Sequence, residues 1–195
     1  MIHEDTDGAT DLDLNELNGL KHKYVTKRDQ LNELEFSNIQ QGLLWLRQRK
    51  KEDVLTDTFQ RKLHKRLFGD VWSWAGTYRK TEKNIGIVPN LIPVQLVKLL
   101  ENAKYWAEEN VYEPLEAAAR FHHRLVFIHA FPNGNGRHGR IAADLYLEQC
   151  FNAPPIMWDD SDNNELAENR RKDYIDALRA ADNADFNKLL KFVVA

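Results

Sequence analysis

The sequence predicts a mainly α-helical protein carrying one short β-hairpin. Three observations support this. Apolar residues recur at helical spacing through most of the chain. The run Ile85-Gly86-Ile87-Val88 is the one stretch with strand character. Gly, Pro, Asn and Asp gather between the helical stretches. With 195 residues the chain suits one compact domain whose core needs no disulfide. We divide it into an N-terminal lead-in and helix, 1–54, and a core, 55–195.

Composition narrows the function classes. Hydrophobic residues make up 43% and charged residues 29%, as in an ordinary globular protein. A net charge of −3 offers no basic excess, so direct nucleic-acid binding is not expected. No apolar run reaches membrane length and no N-terminal leader stands out, so no membrane association is expected and the cytoplasm is the default location. Cys150 has no second cysteine to pair with, and its apolar helical setting reads as a small buried hydrophobe.

Taken in order, residues 1–25 are a polar lead-in, tied down by Leu12, Leu14, Leu17 and Leu20. From Thr26, a candidate N-cap, to Lys50 the leucines and Ile39 recur as in a helix that packs on the core or covers the site. Residues 54–70 place Leu55, Phe59, Leu63 and Leu67 on one side and stop at Gly69, with His64 a surface or packing residue. Trp72, Trp74 and Tyr78 are core fillers. The hairpin falls at 80–90, followed by a helix over 93–110 with Leu96, Val97, Leu100 and Trp106 inward. Beyond Pro114 the next helix turns Ala117, Phe121, Leu125 and Ile128 one way. His122 and His123 read as structural, because no His-Glu-x-x-His pattern accompanies them. After a loop at 152–155, Ser161 caps a helix over 165–181, and a last helix carries Phe186, Leu189, Leu190 and Phe192.

The stretch His129-Ala130-Phe131-Pro132-Asn133-Gly134-Asn135-Gly136-Arg137-His138-Gly139-Arg140 joins two apolar helical runs. Gly134 and Gly136 let the backbone turn tightly and approach a ligand. A helix starting near Gly136 points unpaired N–H groups and its positive dipole end at the loop, which suits a phosphate. Arg137 and Arg140, three apart, lie on nearly the same face and can grip one anion. His129 and His138 are of the type that titrates near neutrality. A neutral imidazole beside bound phosphates suits a general base that activates a hydroxyl. His138 is expected to face solvent or the nucleotide's edge. The same residues also fit plain turn chemistry between two core helices, with solvated arginines and His129 as a C-terminal cap. No P-loop pattern occurs anywhere.

This stretch resembles the signature of the Fic family, His-x-Phe-x-(Asp/Glu)-Gly-Asn-Gly-Arg-x-x-Arg. It matches at His129, Phe131, Gly134, Asn135, Gly136, Arg137 and Arg140, and the segment Trp74-Ala75-Gly76-Thr77-Tyr78-Arg79 is similar to the family's lead into its flap. The resemblance covers about 55–193. Its Pro-Asn-Gly-Asn-Gly-Arg-His version is similar to a Fic-like subgroup called mobile mystery protein B. The resemblance implies a helical bundle with a hairpin flap over the site, and transfer of AMP from ATP to a Ser, Thr or Tyr hydroxyl of a target protein. His129 would be the base, Phe131 an anchor, and Asn133, Gly134, Asn135, Gly136, Arg137 and Arg140 the nucleotide site. Asn84, Ile85 and Gly86 would hold the target. A hairpin here without any partner is the plainer reading.

One position departs from the pattern. Asn133 stands where the family has a magnesium-binding acid, so Mg2+ would be held weakly there. Some family members are inhibited by a helix glutamate that pairs with the second signature arginine. Glu33 and Glu35 lie in a suitable helix but lack the Ser or Thr four residues earlier. Otherwise a partner, such as an antitoxin or other regulatory protein, would inhibit, or nothing would. The role could be that of a toxin, a housekeeping modifier or half of a regulated pair. Two further readings stay open: a transferase using another nucleotide donor, and a nucleotide- or partner-binding module weakened by Asn133.

Overall fold

The computed structural model describes residues 12–48, 50, 52–158 and 164–194. Eight α-helices occur among them: α1 (Leu14–Leu17), α2 (Arg28–Gln48), α3 (Asp57–Phe68), α4 (Ile92–Glu108), α5 (Pro114–Ile128), α6 (Asn135–Tyr146), α7 (Asn164–Asp182) and α8 (Asn187–Val194). A 3-10 turn, Pro89–Leu91, leads into α4, and a π-helical turn, Leu147–Phe151, closes α6. The mainly α expectation holds. Ser161 and the polar segment around it lie outside the described residues.

Local chemistry sets the helix ends. Thr56 caps α3 by accepting from Phe59 N–H, and Gly69 closes it. Prolines open α4 and α5, where a missing N–H leaves nothing unpaired. At α2 the expected Thr26 cap gives way to Gln30, whose side-chain oxygen accepts from the backbone N–H of Thr26 and Lys27 at 3.2 Å each.

Helix α5 is the hub, packed against α4, α6, α7 and α8. Ala117, Ala118 and Ala119 are fully buried there, and their small side chains let neighbours approach closely. Tyr146 of α6 is also buried, its hydroxyl donating to the carbonyl of Ala103 on α4 at 2.6 Å. On the other side α2 lies along α3, with Gly42 at the crossing. A Cβ at Gly42 would come within 2.8 Å of Leu67 Cδ2 and 3.0 Å of the Arg66 carbonyl.

Several expectations are corrected. Residues 80–88 form no strand, and among the described residues the one antiparallel bridge joins Leu20 to Trp72. The hairpin fails because its carbonyls are taken: those of Thr81 and Ile87 accept from the Arg79 guanidinium, and Ile87 N–H turns to Ile128. On α4 Leu99 takes the inward place predicted for Val97, which is exposed. In the lead-in Leu20 is buried but Leu14 is exposed. Much of the anchoring there is polar instead. Glu16 is buried, completes a capping box with Asp13, and accepts from Thr81 Oγ1 at 3.1 Å and from Lys83 Nζ.

Gly42→Leu should therefore push α2 off α3, with a loss of about 1–3 kcal/mol in urea-denaturation stability. An unchanged midpoint would contradict this close crossing.

Candidate functional site

The loop 130–134 passes between the end of α5 and the start of α6. His129 ends α5 in the left-handed region (φ 54°), an uncommon place for a residue with a Cβ, and turns the chain sharply. Gly134 repeats that conformation (φ 77°) just before α6 and also needs the space, since a Cβ would meet the Phe68 ring at 2.6 Å.

Three residues hold the loop. Asn135 Oδ1 accepts from Phe131 N–H at 2.9 Å, and Asn135 Nδ2 donates to the Phe131 carbonyl at 2.7 Å. His64 stacks on Phe131 with ring centroids 3.8 Å apart. Its Nδ1 accepts from Gly76 N–H at 3.1 Å, so Nε2–H donates to the Asn133 carbonyl at 3.0 Å. With its side chain engaged at both ends, Asn135 has only its backbone N–H left to offer an anion.

No side chain caps the start of α6. Its first amides therefore face outward with the positive end of the dipole. Gly136 keeps this entrance open: a Cβ there would have only Tyr174 Oη nearby, at 3.9 Å. This is the geometry of an anion cradle.

His129 sits at the mouth of that cradle and is buried. Its Nδ1 lies 3.3 Å from the Val126 carbonyl. Donation there places the proton on Nδ1 and leaves Nε2 as the basic atom. Burial, the Arg79 guanidinium and the Lys83 ammonium push its pKa down to about 4, despite the Val126 contact, so it is neutral at pH 7. His138 is not at the surface as expected. It is 3% exposed, with Nε2 3.1 Å from the Gln60 carbonyl, and burial pushes it to about 4. One helical turn places it against α3 beside His64 and Phe131, away from the loop's open side.

The two arginines reach to opposite walls. Arg137 Nη1 lies 2.8 Å from Glu35 Oε2 of α2, and its guanidinium covers the Phe68 ring. Glu35 is 3% exposed and its other oxygen accepts from Trp72 Nε1 at 2.7 Å. The resemblance implied the second signature arginine as the glutamate's partner; the structure pairs Glu35 with the first. Glu33 is exposed. Arg140 instead lies over the rings of Tyr174 and Trp158. Asp144 fixes Trp158 by accepting from its Nε1 and from Ile156 N–H, each at 3.0 Å, and burial raises this carboxyl to about 6.

Asn133 is half-buried, and its Oδ1 accepts from Gly134 N–H within the loop. Among the described residues no group of three or more His, Cys, Asp or Glu side chains could hold a metal ion. A neutral oxygen already hydrogen-bonded, and part of no such group, does not fit a protein-held magnesium. The expected flap residues lie by the mouth: Asn84 and Gly86 exposed, Ile85 half-buried. Gly86 lies close against His129, since a Cβ there would fall 2.5 Å from His129 Cβ.

A family model described as Fic/DOC family matches residues 54–147. Residues 54–147 of the chain thus match a Fic/DOC domain. A protein adenylyltransferase Fic from Nematostella vectensis is 28% identical over 148 residues, covering 74% of this chain and 32% of that protein. Protein adenylyltransferase fic-1 of Caenorhabditis elegans is 26% identical over 136 residues, 68% of this chain and 25% of its own length. The chain thus spans about a third or less of the curated relatives it matches. Among solved structures, the Bartonella tribocorum BepC protein with bound AMPPNP superposes with a TM-score of 0.69 at 17% identity, covering 93% of this chain and 96% of that one. Fic-1 (residues 134–508) of C. elegans gives 0.67 at 21% identity, covering 93% and 54%. These likenesses establish the Fic fold.

Four residues that shape the candidate site were not singled out from the sequence: His64, Arg79, Tyr174 and Trp158. His64 was detectable, because it falls on the stripe of Gln60, Leu63 and Leu67, all buried. Arg79 carried a signal as the last residue of the segment similar to the family's lead into its flap, whereas nothing local marks Tyr174 or Trp158 as neighbours of the loop.

Burial lowers the pKa of His64, His122, His123, His129 and His138. Each favours the neutral form when folded, so its contribution is complete above about pH 6.5, the unfolded value, and declines as pH falls toward 4. Asp144, raised to about 6, acts in the opposite sense, as one group against five. Stability to urea should fall between pH 7 and pH 5; a flat profile would contradict the buried neutral imidazoles.

Proposed function

We propose that this protein transfers AMP from ATP to a Ser, Thr or Tyr hydroxyl of a target protein. The observation that carries the reading is the imidazole of His129, with Nε2 left basic, at the mouth of an uncapped helix N-terminus flanked by two arginines. The relatives named as protein adenylyltransferases support it. In the proposed reaction the nucleotide's phosphates lie on the amides of Asn135, Gly136 and Arg137 and on the two guanidiniums. His129 Nε2 takes the acceptor's proton as its oxygen attacks the α-phosphorus. A new O–P bond forms, the bond from the α-phosphorus to the bridging oxygen breaks, and pyrophosphate leaves. Catalysis of this kind is mainly alignment and charge neutralisation. Magnesium would be held mostly by the nucleotide's phosphates and water, with Asn133 at most a neutral contact for it.

Glu35 is proposed as an internal brake. It occupies Arg137, which the phosphates require, while Trp72 holds its other oxygen. Release would need movement of α2 or a regulatory partner.

The test is intact mass after incubation of the purified protein with ATP and magnesium. The wild type should gain one AMP. His129→Ala should lose transfer by roughly 10²–10⁴-fold while keeping ATP affinity; parallel loss of both would count against His129 as the base. Glu35→Gln should raise the rate roughly tenfold or more, the worth of a charged hydrogen bond removed from Arg137. No increase would reject the brake.

A further inference from the structure

Arg79 is 3% exposed and lies just before the expected flap. Its guanidinium donates in three directions: Nε to the His129 carbonyl at 2.6 Å, Nη1 to the Thr81 carbonyl at 2.9 Å, and Nη2 to the Ile87 carbonyl. Its backbone N–H adds a bond to the Ala130 carbonyl at 3.0 Å. One planar cation thus closes the loop 81–87 at both ends and ties it to the backbone of the left-handed residue that bears the imidazole. The contact continues on the loop's far side, where a Cβ at Gly86 would lie 2.5 Å from His129 Cβ and 2.8 Å from Arg79 Nη2.

We propose that Arg79 is a positioning residue for the transfer step, holding the acceptor-presenting loop and His129 in one frame. This rests on the adenylyl-transfer reading given above. A hairpin ladder would fix the two arms of the loop to each other; the guanidinium fixes them to each other and to the base. Arginine suits the task because five donors in a rigid plane can serve three carbonyls at once. A lysine ammonium has a single nitrogen and cannot span them. The charge has a second effect, since it helps keep the His129 imidazole neutral, together with burial and Lys83. The acidic groups near Arg79 are Glu16 and Glu82, and Glu16 also grips Thr81 and Lys83 of the same loop.

The experiment compares the full chain with Arg79→Lys, Arg79→Gln and Gly86→Ala. It reads amide hydrogen exchange over 80–88, the His129 imidazole titration by 15N NMR, ATP affinity by calorimetry and the rate of self-modification by mass. All three variants should exchange faster at 80–88 and lose transfer by roughly 10²-fold, as misplacement by about 1 Å can do, with ATP affinity within about twofold of wild type. The His129 midpoint should rise in Arg79→Gln more than in Arg79→Lys, which keeps the charge. Full rescue by lysine, equal loss of ATP affinity and transfer, or an unmoved His129 midpoint would overturn the proposal. If Arg79→Gln does not fold, Arg79→Lys and Gly86→Ala decide through exchange and transfer. If neither the wild type nor Glu35→Gln transfers AMP, the adenylyl-transfer reading fails, and exchange and titration still decide whether Arg79 frames His129.

Discussion

A polar loop buried between helices has to satisfy its own backbone, and here the Asn135 carboxamide does so. By bonding both the N–H and the carbonyl of Phe131, it replaces the partners that a helix or sheet would supply. His64 completes the arrangement from α3, joining the Asn133 carbonyl to Gly76 N–H through a neutral ring stacked on Phe131. The two left-handed turns at His129 and Gly134 are tolerated because these contacts over-determine the loop. Rigidity at this point is what lets the first amides of α6 stay aimed outward.

The charges follow from the same packing. Arginines and a lysine gather around a loop whose imidazoles are buried and neutral, which suits the region to an anion. Glu35, delivered by α2 and aligned by Trp72, grips the first signature arginine. The crossing at Gly42 brings α2 close enough for that reach. Packing between the first two long helices and the state of the proposed nucleotide site are thereby coupled. On the opposite wall Asp144 holds Trp158 where Arg140 can lie over it, so the two arginines answer to different parts of the chain.

Much of this was legible in the sequence, for a physical reason. Helices with a single buried stripe announce themselves by spacing, and α3, α5 and α7 fall close to where the apolar residues place them. The signature loop was legible because its chemistry is local and consecutive. What failed depended on contacts distant in sequence. The hairpin was inferred from Ile85, Gly86, Ile87 and Val88, but Arg79 and Ile128 claim the hydrogen bonds a ladder needs. His138, just inside the second helix of the signature, was expected to face solvent or the nucleotide's edge, whereas α3 covers it. Val97 and Leu99 exchanged places because two apolar neighbours on a helix cannot be ranked without knowing what packs on each. The lead-in was read from its leucines, yet Glu16 carries the contacts to Thr81 and Lys83.

The central claim is that the loop and the start of α6 form a prebuilt phosphate cradle. Backbone 15N–1H NMR of the full chain during titration with ATP tests it most directly. The amides of Asn135, Gly136 and Arg137 should shift downfield and saturate together as the phosphates bind, while inorganic phosphate shifts the same amides more weakly. Saturable ATP binding that leaves these three amides unmoved, with the shifts clustered elsewhere, would contradict the account.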